Sequence, residues 1–184
     1  MYNYSETEIR IANATYRSKG SSVFDKDGNI RSVVARYVAA NVKKDAKILD
    51  FGCGSEFVQG KYLQSLGFDV SGWDFGGNKP ECCVDKLESI YDVVYASNVL
   101  NTISSMSMLM ETLDQINGCL KDGGIFIANY PASPRKMEIG AAKLKNIICD
   151  KIGYDILTIG GTTSAPLFCF VKAEKRQEIL SESA

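Results

Sequence analysis

The sequence predicts an alternating α/β fold, in which the strands of a mostly parallel sheet take turns with helices. Three observations carry that expectation. The stretch Lys47-Ile48-Leu49-Asp50-Phe51-Gly52-Cys53-Gly54 is an apolar run that ends in an acid and opens at once into glycines. Ile48, Leu49 and Phe51 read as a short buried strand, and residues 56–66 read as the helix after it. A second strand signal, the aromatic and β-branched run at 91–97, is followed by a methionine- and leucine-rich helical stripe at 106–120. The last two strand-like runs, 154–159 and 166–171, are too close for a crossover connection, so they pair antiparallel.

Composition bounds the rest. A chain of 184 residues suits one domain, and 45% hydrophobic content is ordinary for a globular protein. No apolar run approaches the ~20 residues that span a bilayer. The N-terminus, Met1-Tyr2-Asn3-Tyr4-Ser5-Glu6, lacks the basic end and apolar centre of a secretory signal, and a soluble cytoplasmic protein is expected. The chain has no histidine, which excludes Ser-His-Asp chemistry and the commonest general base. Its six cysteines form no Cys-x-x-Cys pair, so reduced thiols are expected rather than a metal site. The net charge of −1 makes no global case for nucleic-acid binding. Residues 1–47 nevertheless carry a surplus of +4 and the remainder −5, which would let a basic N-terminal segment face an anionic substrate. A solvated helix face explains the same charges.

In chain order, residues 1–27 are polar and read as an N-terminal arm or loop, with Arg17 and Lys19 as its notable charges. Residues 30–42 form an amphipathic helix through Ile30, Val33, Val34, Tyr37 and Val38. After the first strand, Phe57, Val58, Tyr62, Leu63 and Leu66 give the next helix its apolar face. Residues 68–73 are the second strand and end at Asp74, 24 positions beyond Asp50. A carboxylate at that tip is well placed to accept hydrogen bonds from both hydroxyls of an adenosine ribose. Residues 75–80 are too rich in glycine, with a proline, for a helix. A short third strand is expected at 82–84, and a turn at 85–89. The turn at 121–124 leads to a strand at 125–128, and residues 135–151 read as a helix. The domain is expected over 28–174, with a charged tail at 175–184.

Gly52 and Gly54 let the chain turn sharply and bring its backbone close to a ligand. Acid-x-Gly-x-Gly at 50–54, the acid at Asp74, the Leu120-Lys121-Asp122-Gly123-Gly124 turn and the closing hairpin together resemble class I S-adenosylmethionine-dependent methyltransferases. The resemblance covers about residues 28–172. It implies a Rossmann-like, doubly wound sheet of about seven strands with one antiparallel strand near the C-terminus. It also implies S-adenosylmethionine as cofactor, leaving as S-adenosylhomocysteine, across the carboxyl ends of the strands. Asp50, Phe51, Gly52, Cys53 and Gly54 would then cradle the methionine end, Asp74 the ribose and Phe75 the adenine, with Ser97 and Asn98 near the methyl. Asn98 and Asn101 are the candidate catalytic residues. The competing dinucleotide fingerprint, Gly-x-Gly-x-x-Gly, has Phe57 at its third glycine.

A narrower likeness links Arg17-Ser18-Lys19, Gly72-Trp73-Asp74 and Asn98-Val99-Leu100-Asn101-Thr102-Ile103 to small methyltransferases of bacterial and phage DNA modification. Those typically carry a tyrosine at the position of Trp73 and a proline at that of Phe75. It supplies a lean toward nucleic acid or a nucleotide-like acceptor, with a small molecule still open. Ser97-Asn98-Val99-Leu100 stands where amino-methyltransferases of DNA carry Asp/Asn-Pro-Pro-Tyr/Phe, and no cysteine follows a proline. Two other readings remain. One is a partner subunit that binds the cofactor without catalysis; the other is a nicotinamide-binding oxidoreductase.

Overall fold

Strands β1 (Lys47–Phe51), β2 (Asp69–Trp73), β3 (Tyr91–Ala96), β4 (Leu120–Asn129), β5 (Gly153–Ile159) and β6 (Leu167–Lys172) form one sheet in the order β2-β1-β3-β4-β6-β5. The computed structural model describes residues 4–16, 24–75, 87–159 and 166–173. Pairings β1–β2, β1–β3 and β3–β4 are parallel, whereas β6 runs antiparallel to both β4 and β5. The sheet is therefore the expected mixed one, with six strands among the described residues rather than about seven. The expected strand at 82–84 lies outside them, as do Arg17, Lys19, the residues 76–80 and the tail at 175–184.

Helices cover both faces because the strand side chains are apolar on both. Val34, Val38, Phe57 and Leu63, from α2 (Val33–Asn41) and around α3 (Val58–Ser65), pack on Ile48, Val70, Val93 and Tyr95. The opposite face carries Leu49, Phe51, Val94, Phe126 and Phe170. It is covered by Leu109, Leu113 and Ile116 of α4 (Met106–Cys119) and by Leu144 and Ile148 of α5 (Ala141–Lys151). Each such side chain contributes about 1.5–3 kcal/mol by leaving water. Strand order reverses between β1 and β3, and that reversal opens a crevice at the carboxyl ends of these strands.

Three local expectations need correction. Residues 1–27, read as a loop or arm, contain helix α1 (Glu6–Tyr16). Ser5 and Glu8 make a reciprocal cap: the Ser5 N–H donates to Glu8 Oε2 at 2.8 Å, and the Glu8 N–H donates to Ser5 Oγ at 3.3 Å. Tyr4 and Ala12 then bury against the α4 side of the sheet. Residues 121–124, read as a turn before the strand, lie inside β4. Leu120 pairs with Tyr91 and Ile125 with Val93, so the residues between them loop out of register. Finally, α5 starts at Ala141 rather than at 135. Arg135 instead donates to the Pro131 and Tyr130 carbonyls at 2.8 and 3.2 Å and stacks on the Tyr130 ring.

Candidate active site

The carboxyl ends of β1, β2 and β3 bring most of the expected residues together. Three successive amides of the glycine turn are tied to the end of β2. Gly52 and Cys53 donate to the Trp73 carbonyl at 2.7 and 3.1 Å, and Gly54 donates to Asp74 Oδ2 at 2.9 Å. Gly52 (φ +77°) and Gly54 (φ +70°) take the left-handed conformation that the turn requires. A Cβ on Gly52 would meet the Val99 side chain at 2.5 Å, so this glycine also lets β1 close onto the segment after β3.

Phe57 occupies the third position of the dinucleotide fingerprint and is fully buried. Its backbone is left-handed (φ 49°), and it stands as the residue before α3. A Cβ on Gly60 or Gly72 would lie 1.9 or 2.8 Å from its ring. The two glycines thus leave room for a ring that fills the gap between α3 and β2.

Asp50 is the electrostatic outlier. It lies opposite Gly72 on β2 and Tyr95 on β3, and it is buried. Its Oδ2 and the Tyr95 hydroxyl are both buried without a hydrogen-bond partner. Burial pushes the Asp50 carboxyl up to about 7, and the charge of Asp74 adds to the rise. The nearby Tyr95 hydroxyl and the Gly60 backbone amide oppose it. Burial also raises the Tyr95 phenol well above its ordinary range.

Phe75 packs edge-on against Tyr4, with ring centroids 5.4 Å apart. The Tyr4 hydroxyl pairs with Thr112 Oγ1 at 2.8 Å, so α1 and α4 together wall the β2 end of the crevice. That wall escaped the sequence reading. Its signal was present as the capping box Ser5-Glu6-Thr7-Glu8.

Ser97 and Asn98 continue β3 into the same edge. Ser97 Oγ lies 3.0 Å from Ser32 Oγ, which also donates to Gln59 Oε1 at 2.8 Å and accepts the Ala35 N–H at 3.1 Å. Ser32 therefore joins α2, α3 and the β3 end through one hydroxyl. Asn98 is exposed, with a left-handed backbone (φ 57°), and exchanges hydrogen bonds with Asn129 at the tip of β4. Asn101 differs from Asn98. It is buried, its Nδ2 donates to the Pro134 carbonyl at 3.1 Å, and its carbonyl accepts the Lys136 N–H at 3.0 Å. Asn101 Oδ1 has no partner. These bonds hold the 134–136 segment against the chain after β3.

Among the described residues, no cluster of cysteines and acids could hold a metal, and no helix is long and apolar enough to cross a membrane.

A family described as "Methyltransferase domain" matches residues 25–151. No curated protein matches the chain. Solved structures of similar shape include a TehB-like SAM-dependent methyltransferase from Corynebacterium glutamicum. It has a TM-score of 0.67 and 20% identity, over 89% of this chain and 98% of that one. Another is the 1,6-didemethyltoxoflavin-N1-methyltransferase of Burkholderia thailandensis, with its namesake compound and S-adenosylhomocysteine bound. It has a TM-score of 0.64 and 13% identity, over 95% and 92% of the two chains. The N-methyltransferase NodS of Bradyrhizobium japonicum, in complex with S-adenosylhomocysteine, gives a TM-score of 0.57 at 14% identity, over 76% and 84%. With the matched family spanning more than half of its length, and with this strand order, the chain belongs to the methyltransferase domain family and has the class I S-adenosylmethionine-dependent fold.

Proposed function

We propose that this protein transfers a methyl group from S-adenosylmethionine to a small-molecule acceptor. The observation that carries the reading is the glycine turn of residues 52–54, clamped to the end of β2 between two carboxylates, Asp50 and Asp74. A left-handed glycine backbone next to a buried, unpartnered carboxylate oxygen suits the ammonium end of an amino acid. It does not suit a pyrophosphate, which both carboxylates would repel. Phe57 in place of a third glycine argues in the same direction.

Gly52, Cys53 and Gly54 would hold the methionine end, with Asp50 beneath it and Phe51 as its apolar support. Asp74 would accept from the ribose, Phe75 would lie along the adenine, and Ser97 and Asn98 would line the methyl side. Asn101 would act by holding the 134–136 segment rather than by touching the methyl. When bound, S-adenosylmethionine supplies a sulfonium-activated methyl group for in-line displacement. The chain supplies alignment and the exclusion of water. A nucleophile that attacks without prior deprotonation needs no histidine, and the chain has none.

The small-molecule acceptor is favoured over the nucleic acid suggested by sequence. The B. thailandensis structure of similar shape holds a small molecule, and the two chains overlap over nearly their full lengths. The net charge of −1 makes no global case for nucleic-acid binding.

Asp74→Ala tests the cofactor assignment. Calorimetry with S-adenosylhomocysteine should show affinity weakened at least about tenfold, the worth of one or two charge-assisted hydrogen bonds, with cooperative unfolding retained. Unchanged affinity in a folded variant would remove Asp74 from the site.

A further inference from the structure

The Asn98–Asn129 pair has only one consistent assignment of its amide atoms. The Asn98 backbone N–H donates at 2.7 Å to the Asn129 side chain, and a backbone N–H can only donate. The contacted atom of Asn129 is therefore its oxygen, and its other terminal atom is the NH2. That NH2 lies 2.8 Å from the Asn98 side chain, so the Asn98 atom facing it is Oδ1. Asn98 thus has its acceptor committed inward, to a buried residue at the tip of β4. Its remaining polar group is Nδ2, two N–H donors without a partner among the described residues, on an exposed side chain beside the crevice.

From this we infer that Asn129 is a specificity-determining residue: by fixing the turn of the Asn98 amide, it makes this edge recognise an acceptor molecule through a hydrogen-bond-accepting oxygen or ring nitrogen, not through an amino group. A side chain that held an exocyclic amine would need to turn its carbonyl toward it, and here the bond from Asn129 turns that carbonyl inward and leaves Nδ2 outward. The inference rests on the proposed function, because it takes the Asn98 edge as the acceptor side of the site.

Asn129→Asp reverses the polarity without altering Asn98. A carboxylate at 129 accepts both from the Asn98 N–H and from the side chain, so the Asn98 amide must turn over and present Oδ1 outward. Asn98→Asp, at an exposed position, is the second variant and places a carboxylate oxygen outward directly. First, S-adenosylhomocysteine binding is measured by calorimetry for each protein. Protein saturated with S-adenosylhomocysteine and labelled with 15N is then titrated with pyridine and benzoate, which only accept, and with aniline as the donor probe.

In the wild type, the Asn98 side-chain amide signals should move with pyridine and benzoate. Pyridine should bind about tenfold more tightly than aniline, the worth of one hydrogen bond. In both variants the order should invert, read for Asn98→Asp from the backbone amide signal of position 98 and the Asn129 side-chain signals. Equal response to aniline in the wild type, no response to any probe, or an unchanged order in a folded variant would each overturn the inference. If the wild type fails to bind S-adenosylhomocysteine, the underlying reading falls first, and this one falls with it.

Discussion

Asp50 sits at the end of β1 with its carboxyl buried, and its ordinary value of 3.8 rises to about 7 on folding. Between those values the folded chain holds a proton that the unfolded chain has released. Its contribution to stability therefore falls as pH rises from about 4 to about 7, and is level above that. Asn at this position removes the buried charge. Asp50→Asn is expected to raise stability at pH 8 by about 1–3 kcal/mol, to flatten the pH dependence, and to weaken S-adenosylmethionine binding. Denaturant midpoints at pH 5 and pH 8 check this, and an unchanged slope with pH would contradict it. At this scale the sequence was legible only in part. Asp50, Gly52, Gly54 and Asp74 announce themselves by type and spacing. The Asn98–Asn129 exchange depends on the register of β3 against β4, which pairs Ala96 with Ala128. The Ser32–Ser97 contact likewise joins residues 65 positions apart. No local pattern encodes either.

At the scale of elements, long periodic segments were readable and docked ones were not. The bounds of helix α4, expected at 106–120, were legible almost to the residue; its buried face carries Met108, Leu109, Leu113 and Ile116, whereas Met106 is exposed. Helix α1 was missed because its 11 residues are too few to be stable alone. It persists through its cap and through what it touches. Glu8 accepts a hydrogen bond from Ser105, the residue that also caps α4 by accepting the Met108 N–H at 3.0 Å. That bond, ahead of those from Ser5, holds the Glu8 carboxyl below its usual range. Burial pushes the Tyr4 phenol up to about 12. Tyr4→Ala should therefore cost about 2–4 kcal/mol in a denaturant melt, as large buried truncations do. It should also weaken S-adenosylhomocysteine binding, since Tyr4 supports the Phe75 ring. Full cofactor affinity in a folded Tyr4→Ala protein would show that α1 does not wall the cofactor side.

Across the whole molecule, the sequence was most informative about architecture. The alternation of strands and helices and the short link before the last strand implied a mostly parallel sheet closed by an antiparallel pair. The pairing of β6 with β4 and β5 is that arrangement. Register, the out-of-line residues in β4 and the late start of α5 were not legible, because partners distant in sequence set them. The segment before α5, for example, is held by Asn101, 33 positions before Pro134, whose Nδ2 donates to the Pro134 carbonyl and whose backbone carbonyl accepts the Lys136 N–H. The order β2-β1-β3 places the reversal of the chain at the glycine turn, and the functional reading rests on that coincidence. The most direct test is calorimetric titration of the full chain with S-adenosylmethionine, S-adenosylhomocysteine and NAD, paired with thermal melts. The account predicts one site for each of the two sulfur ligands and none for NAD. At a hundredfold excess over Kd, the melting temperature should rise by about 5–10 °C. Binding of NAD alone, or of none of the three, would contradict it.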